Sequence, residues 1–204
     1  MPGKHVPARA GVTGAGAVEA ICPGSRRSEL VQDVRMGQHH WAVEVMVSIV
    51  AIYVLGVSAQ IRVSVRFSPV PVTAQTLAVL LIGAFLGRRR AVGTLVGYLL
   101  AGAIGLPFFA GAGLAGPTGG YLVGFVPAAF FTGLMAERGW DRHPVTAFLT
   151  SLGGAMVIYV FGLLWLARFV GPGAVLALGL LPFVVGDLIK VVCAAIVMYA
   201  RARL

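Results

Sequence analysis

VTAFLTSLGGAMVIYVFGLLWLARF, residues 145–169, carries a single charge, Arg168, near its far end. As a helix it would be about 37 Å long, more than the ~30 Å hydrocarbon core of a bilayer. Backbone N–H and C=O groups in lipid must be satisfied within the segment, so an apolar run of this length reads as a transmembrane helix. A barrel would instead need alternating strands of about ten residues, and this run does not alternate.

Five further stretches read the same way: Ala42–Ile61, Val72–Leu86, Ala91–Leu106, Thr118–Ala136 and Ala174–Ala200. The composition agrees. Of 204 residues, 58% are hydrophobic and 11% charged, with a mean hydropathy of +0.91. Soluble domains carry about 25% charged residues. The expected fold class is therefore an all-α integral membrane protein, a bundle of six transmembrane helices over residues 41–204.

The net charge of +9 invites a nucleic-acid partner, but the basic residues mark topology better. With the N-terminus inside, twelve Lys and Arg fall on inner segments, and only Arg62, Arg66 and Arg168 fall on outer ones. That bias places both termini in the cytoplasm and predicts no nucleic-acid partner. Residues 1–40 are rich in Gly, Ala, Arg and Ser and lack the apolar core of a signal peptide. They read as a disordered cytoplasmic tail, and Met36, just before the first span, is an alternative start. Cys22 lies in the tail and Cys193 in the last span, so no disulfide is expected, and His5, His39, His40 and His143 have no metal-site spacing.

Between the first two spans, Ile61, Val63, Val65 and Phe67 alternate with Arg62, Ser64, Arg66 and Ser68. A period of two predicts an extended, half-buried segment, either a lid over the outer face or a plain connector. Small residues recur every four positions in the third and fourth spans: Gly93, Gly97, Ala101, Gly105, and then Gly116, Gly120, Gly124, Ala128, Thr132. Such stripes predict close helix packing. The connection from Gly105 to Tyr121 has no charge, so it is expected to lie at membrane depth and form one wall of a site. Its Gly111, Gly113 and Gly116 match a dinucleotide fingerprint only by coincidence, because no βαβ unit surrounds them.

No nucleotide-binding lysine loop, H-E-x-x-H motif or Ser/His pair occurs in the spans, so neither an enzyme nor a bound cofactor is expected. There remains a short set of intramembrane polar groups. Asp187 and Lys190 lie one turn apart in the last span, each costing about 2.5–3.5 kcal/mol to place in hydrocarbon. They share a helix face, where they neutralise each other or jointly hold a polar ligand; a proton relay is disfavoured, because no second acidic group lies deep in another span. Thr73, Gln75 and Thr76 open the second span, and Thr118 and Tyr121 open the fourth, at a helix N-terminus suited to an oxygen ligand. Pro182 and Gly186 predict a kink that turns the pair inward.

Four blocks then carry a family resemblance: Ser68-Pro69-Val70-Pro71-Val72-Thr73-Ala74-Gln75-Thr76, Gly105-Leu106-Pro107-Phe108-Phe109, Gly116-Pro117-Thr118-Gly119-Gly120-Tyr121 and Gly186-Asp187-Leu188-Ile189-Lys190. In order and spacing, residues 42–204 resemble the BioY family, the biotin-binding S components of energy-coupling-factor transporters. The resemblance implies a six-helix protein of a prokaryotic cytoplasmic membrane that captures biotin from outside. A transmembrane coupling subunit and ATPase subunits would then drive release inward. It implies that Asp187 accepts a ureido N–H and Lys190 donates to a ligand oxygen. Gln75, Thr118, Gly119 and Tyr121 are further expected contacts, with Phe108, Phe109 and Phe125 as apolar walls. S components often carry alanines four apart on the first helix where the coupling subunit docks. Here the pattern is Ala51, Leu55, Ala59, with Gly56 beside it, which leaves open a slow solitary carrier. A membrane-embedded enzyme on a lipid-like substrate and a purely structural subunit are the readings from other classes.

Overall fold

The computed structural model describes residues 23–63, 68–109, 113–171 and 173–203, with side chains from residue 41 onward. The expected disordered tail lies, for residues 1–22, outside the described residues. The chain divides into two compact units, Met1–Val45 and Met46–Leu204, and the second holds the helical bundle. In order, the elements are α1 (Pro23–Gln60), β1 (Arg62–Val63), β2 (Val72–Thr73), α2 (Gln75–Ala103), α3 (Gly119–Glu137), α4 (Pro144–Val170), α5 (Val175–Gly179) and α6 (Val184–Arg201).

α2 is one helix only in name. Gly87 has φ 75° and ψ 165°, which interrupts it. In a straight helix Gln75 and Tyr98 would be about 34 Å apart. Instead the Gln75 amide donates to the Tyr98 hydroxyl at 2.7 Å. The chain therefore doubles back at Gly87, where a positive φ favours glycine. The result is a helical hairpin with arms 75–86 and 88–103. Its turn is held by Glu137, which accepts from the Arg88 backbone N–H at 2.8 Å and pairs with its guanidinium at 3.2 Å.

α4 shows how local chemistry sets an element. His143 is its extended N-cap, accepting through Nδ1 from Val145 N–H at 3.3 Å, and Pro144 fills the first helical position. Gly171, at φ 78°, ends it. The stretch expected as one last span is two helices. Pro182 lacks an N–H and disfavours helical geometry before it, so α5 stops at Gly179 and α6 begins at Val184. The expected kink is a break.

Three described helical stretches are long and apolar enough to cross a membrane alone: Trp41–Gln60, Gly119–Glu137 and Pro144–Val170. The α2 arms are too short to qualify separately, and α6 carries Asp187, Lys190 and Arg201. The core lies between α1, the α2 hairpin, α3 and α4, where Leu55, Val79, Leu95, Tyr98, Ala128 and Ala129 are fully buried. Val160, Leu164, Ile189 and Ile196 face outward, as lipid contact requires.

The structure sharpens three of the sequence expectations. Ile61 and Val63 are 64% and 67% exposed, so the described start of their segment is not half-buried. It forms a two-stranded hairpin, Arg62 opposite Thr73 and Val63 opposite Val72; residues 64–67 fall outside the described residues. The two small-residue stripes differ. Gly120 and Gly124 lie against α4, where an added Cβ would meet Trp165 Cβ at 2.2 Å and Phe161 Cβ at 3.1 Å. Gly93 and Gly105 face open space. The close seam of α2 is instead Gly83 on Thr132 and Ala129, with Gly133 on Arg88. Finally, Ala51, Leu55 and Ala59 are buried at 8%, 0% and 0%. That face of α1 packs into the bundle, with Leu55 in the core.

Candidate functional site

Three helix N-termini converge. α2 begins at Gln75, α3 at Gly119 and α6 at Val184, and residues at or beside each start line one cavity of about 540 Å³, its mouth included. The mid-section of α4 closes the side with Ala155, Ile158 and Tyr159, while Val70 and Pro71 cover it from the β1–β2 connection. Free N–H groups at helix starts favour partial negative charge nearby, so the geometry suits carbonyl or carboxylate oxygens. Most walls are apolar with a few placed polar groups, the usual make-up of a small-molecule site. The cavity sits at the end of the bundle away from Arg88, Arg138, Arg142 and Arg201. Arg201 there donates to Ala84 C=O at 2.5 Å and stacks on Phe85 at 4.8 Å.

Asp187 and Lys190 do form an ion pair, Nζ to Oδ1 at 2.6 Å, with side chains only 11% and 16% exposed. Lys190 also donates to the Thr73 carbonyl at 2.5 Å. The second carboxylate oxygen accepts from the Tyr159 hydroxyl at 2.5 Å. The pair is thus neutral as a unit, yet not saturated. A lysine has three donors and a carboxylate about four acceptor sites, so one donor and roughly two lone pairs remain for the cavity. Placing Asp187 in the first turn of α6 adds a favourable dipole for the charged form.

Gln75 is 2% exposed, and its partners fix its orientation. Its Oε1 accepts from Thr73 Oγ1 at 3.2 Å, its Nε2 donates to Tyr98, and Tyr98 donates to Phe108 C=O at 2.6 Å. Thr118, 6% exposed, donates to Gly113 C=O at 3.2 Å. Tyr121 donates to Gly179 C=O at 2.9 Å and meets Tyr159 edge-on, ring centroids 6.4 Å apart. Its ring fits because residue 162 is glycine; a Cβ there would stand 2.3 Å from it. Phe125 lines the cavity beside Leu122.

Six of the expected residues, Asp187, Lys190, Gln75, Thr118, Tyr121 and Phe125, therefore share this cavity. Three do not line it. Phe108 and Phe109 pack on Tyr98, at centroid distances of 6.3 and 5.6 Å, and fill the space above Gly56 and Gly102. Gly119 faces the other side of α3, against Leu114 and Trp165. Sequence reasoning missed Tyr159, Tyr98 and Phe183. For Tyr159 a signal existed: it sits mid-way along the longest apolar span, whereas tyrosines in spans gather at the interfaces.

A family model described as the BioY family matches residues 30–204. A Pyrococcus horikoshii protein named "Probable biotin transporter BioY" is 43% identical over 156 residues, covering 74% of this chain and 92% of that one. The biotin transporter BioY of Rhizobium etli is 41% identical over 147 residues, 66% and 79% of the two chains. That of Thermotoga maritima is 39% identical over 149 residues, 70% and 86%. Among solved structures, the S-component for biotin from an ECF-type ABC transporter superposes with a TM-score of 0.70. It is 19% identical and covers 81% of this chain and 94% of its own, a likeness of fold.

Proposed function

The chain belongs to the BioY family of membrane proteins, and on that premise we propose that it captures biotin as the substrate-specific subunit of an ECF-type transporter. The observation that carries the proposal is the unsaturated Asp187–Lys190 pair beside an apolar cavity ringed by three helix starts. Biotin matches that inventory with two ureido N–H donors, a ureido carbonyl, an apolar sulfur ring and a carboxylate. Asp187 accepts a ureido N–H and Lys190 donates to a ligand oxygen, with Gln75, Thr118 and Tyr121 completing the polar rim and Phe125 the apolar wall. Titration of the detergent-purified protein with labelled biotin tests this directly. Saturable binding at one site is expected, and its absence sinks the reading.

Tyr159 holds the carboxylate in place from behind. Tyr159→Phe keeps the ring and removes that bond to a charged acceptor, worth about 1.5 kcal/mol or more. Biotin affinity is expected to fall by roughly tenfold, measured by the same titration, with the folded helix content unchanged.

The α2 hairpin counts as two crossings, and α1, α3, α4 and α5–α6 as four. Six crossings with the arginine-rich end inside support a topology with both termini in the cytoplasm and the cavity toward the outside of the cytoplasmic membrane. Gly173, with open space around it, and the exposed Arg142 then lie on opposite sides. In intact cells, an impermeant maleimide is expected to label Gly173→Cys and spare Arg142→Cys in a background without Cys22 and Cys193. Labelling of both or of the reverse position breaks the topology.

A transmembrane coupling subunit and ATPase subunits are the partners this role requires. The inward-turned Ala51, Leu55 and Ala59 favour a second reading, a solitary biotin carrier. Uptake of labelled biotin with and without the ATPase subunits separates the two.

A further inference from the structure

A second concavity lies on the far side of α3 from the biotin cavity. Gly119 and Gly120 form its floor, Val123, Phe161 and Leu164 its walls, and Trp165 and Arg168 its rim, and it is open on one side. Val123, Phe161 and Leu164 are 47%, 42% and 71% exposed, so the groove is apolar and faces outward along its length. At its end stands a cation. Among the described residues no acidic side chain pairs with Arg168.

The geometry at that end is specific. Trp165 is anchored by its indole N–H, which donates to Gly116 C=O at 3.0 Å. The Arg168 guanidinium lies over the Trp165 ring at 4.8 Å. Stacking occupies the flat face of a guanidinium and leaves its N–H edges free, and those edges match the two oxygens of a phosphate. Trp is also the residue that settles at headgroup level, with its ring toward the chains. An apolar groove, an interfacial indole and a phosphate-matching cation thus follow one another along a single line, in the order of the parts of a phospholipid.

We infer that this groove is a binding site for an anionic phospholipid, with an acyl chain along Val123 and Leu164 and the headgroup phosphate on Arg168. It is separate from the biotin site, since α3 stands between them. Only its leaflet, the outer one, depends on the proposed topology. An arginine that merely complements the C-terminal dipole of α4 would not distinguish lipid headgroups.

The test uses full-length protein in lipid nanodiscs, with Trp41→Phe and Trp140→Phe leaving Trp165 as the single tryptophan. Phospholipids brominated on the acyl chain quench a tryptophan that they touch. At equal mole fraction, a brominated phosphatidylglycerol is expected to occupy the groove about fivefold more readily than a brominated phosphatidylcholine, the preference one arginine near a membrane surface confers. Arg168→Gln should reduce the two to equal quenching, while Arg168→Lys restores part of the difference. Equal quenching by both headgroups in the parent protein overturns the inference. So does a preference that survives Arg168→Gln, which would assign it to another group. Biotin titration on the same samples reads the other site independently, so either proposal can fail alone.

Discussion

Asp187→Asn is expected to weaken biotin binding by about 10- to 150-fold, the range set by losing a hydrogen bond to a buried charged acceptor. The asparagine oxygen can still accept from one neighbour, but its amide presents donors where the carboxylate presented lone pairs. A ureido N–H facing that amide would meet a donor. The substitution also leaves Lys190, 16% exposed, without its counter-ion, with only neutral acceptors such as the Thr73 carbonyl. Breaking a buried pair on one side costs about 3–5 kcal/mol of stability, so a fall in thermal midpoint is expected as well.

Two effects from one substitution need a second variant to separate them. Asp187→Asn combined with Lys190→Met removes both charges, and apolar replacement of a buried pair is often neutral for stability. The double variant should recover much of the thermal midpoint while biotin binding stays lost. If it recovers binding together with stability, or if folded Asp187→Asn binds biotin as the parent does, the pair is a structural bridge and the ligand sits elsewhere. Pairing and ligand contact, alternatives by sequence, are compatible in the fold, because the pair has hydrogen-bonding capacity beyond itself.

How far the fold and site could be read in advance depended on whether a residue's environment is local. Charge-free runs and flanking arginines report on the helix and its water-facing ends, so the helical segments were legible. Pro182 acts on its own backbone neighbours, so a disturbance before Asp187 was legible too, although whether it bends or breaks the helix depends on what packs there. Gln75, Thr118, Asp187 and Lys190 were legible because polar side chains in an apolar stretch must be satisfied together. Phe108 and Phe109 were not, since an apolar ring on an uncharged loop is equally content on either side of it, and the side was decided by the space above Gly56 and Gly102. Tyr159 was legible only as an oddity, a tyrosine mid-way along an apolar span, because its meaning lies in Asp187, 28 residues on.

The glycines make the same point in a form that can be measured. Gly83 and Gly93 are both helical glycines in the α2 hairpin, and the four-residue spacing singles out Gly93 as the packed one. Yet a Cβ on Gly83 would stand 1.9 Å from Thr132 Oγ1 and 2.7 Å from Ala129 C=O, while one on Gly93 meets nothing within 4 Å. Thr132 is fully buried and its hydroxyl donates to Ala128 and Ala129 C=O at 3.1 and 3.3 Å, so it cannot swing aside freely. Gly83→Ala must therefore push α2 away from α3, an overpacking that costs about 1–3 kcal/mol or more. Gly93→Ala only removes the helix penalty of glycine, a gain of about 0.8–1.0 kcal/mol. Thermal unfolding in detergent should show Gly83→Ala melting roughly 5–10 °C lower and Gly93→Ala about 2–4 °C higher. Adding Thr132→Ala to Gly83→Ala relieves the hydroxyl clash but leaves the Ala129 carbonyl at 2.7 Å, so only partial rescue is expected. Full rescue would place the strain in the side chain alone. Equal midpoints for Gly83→Ala and Gly93→Ala would mean that α2 and α3 do not meet at Gly83, and the cavity, whose walls those two helices begin, would have to be redrawn.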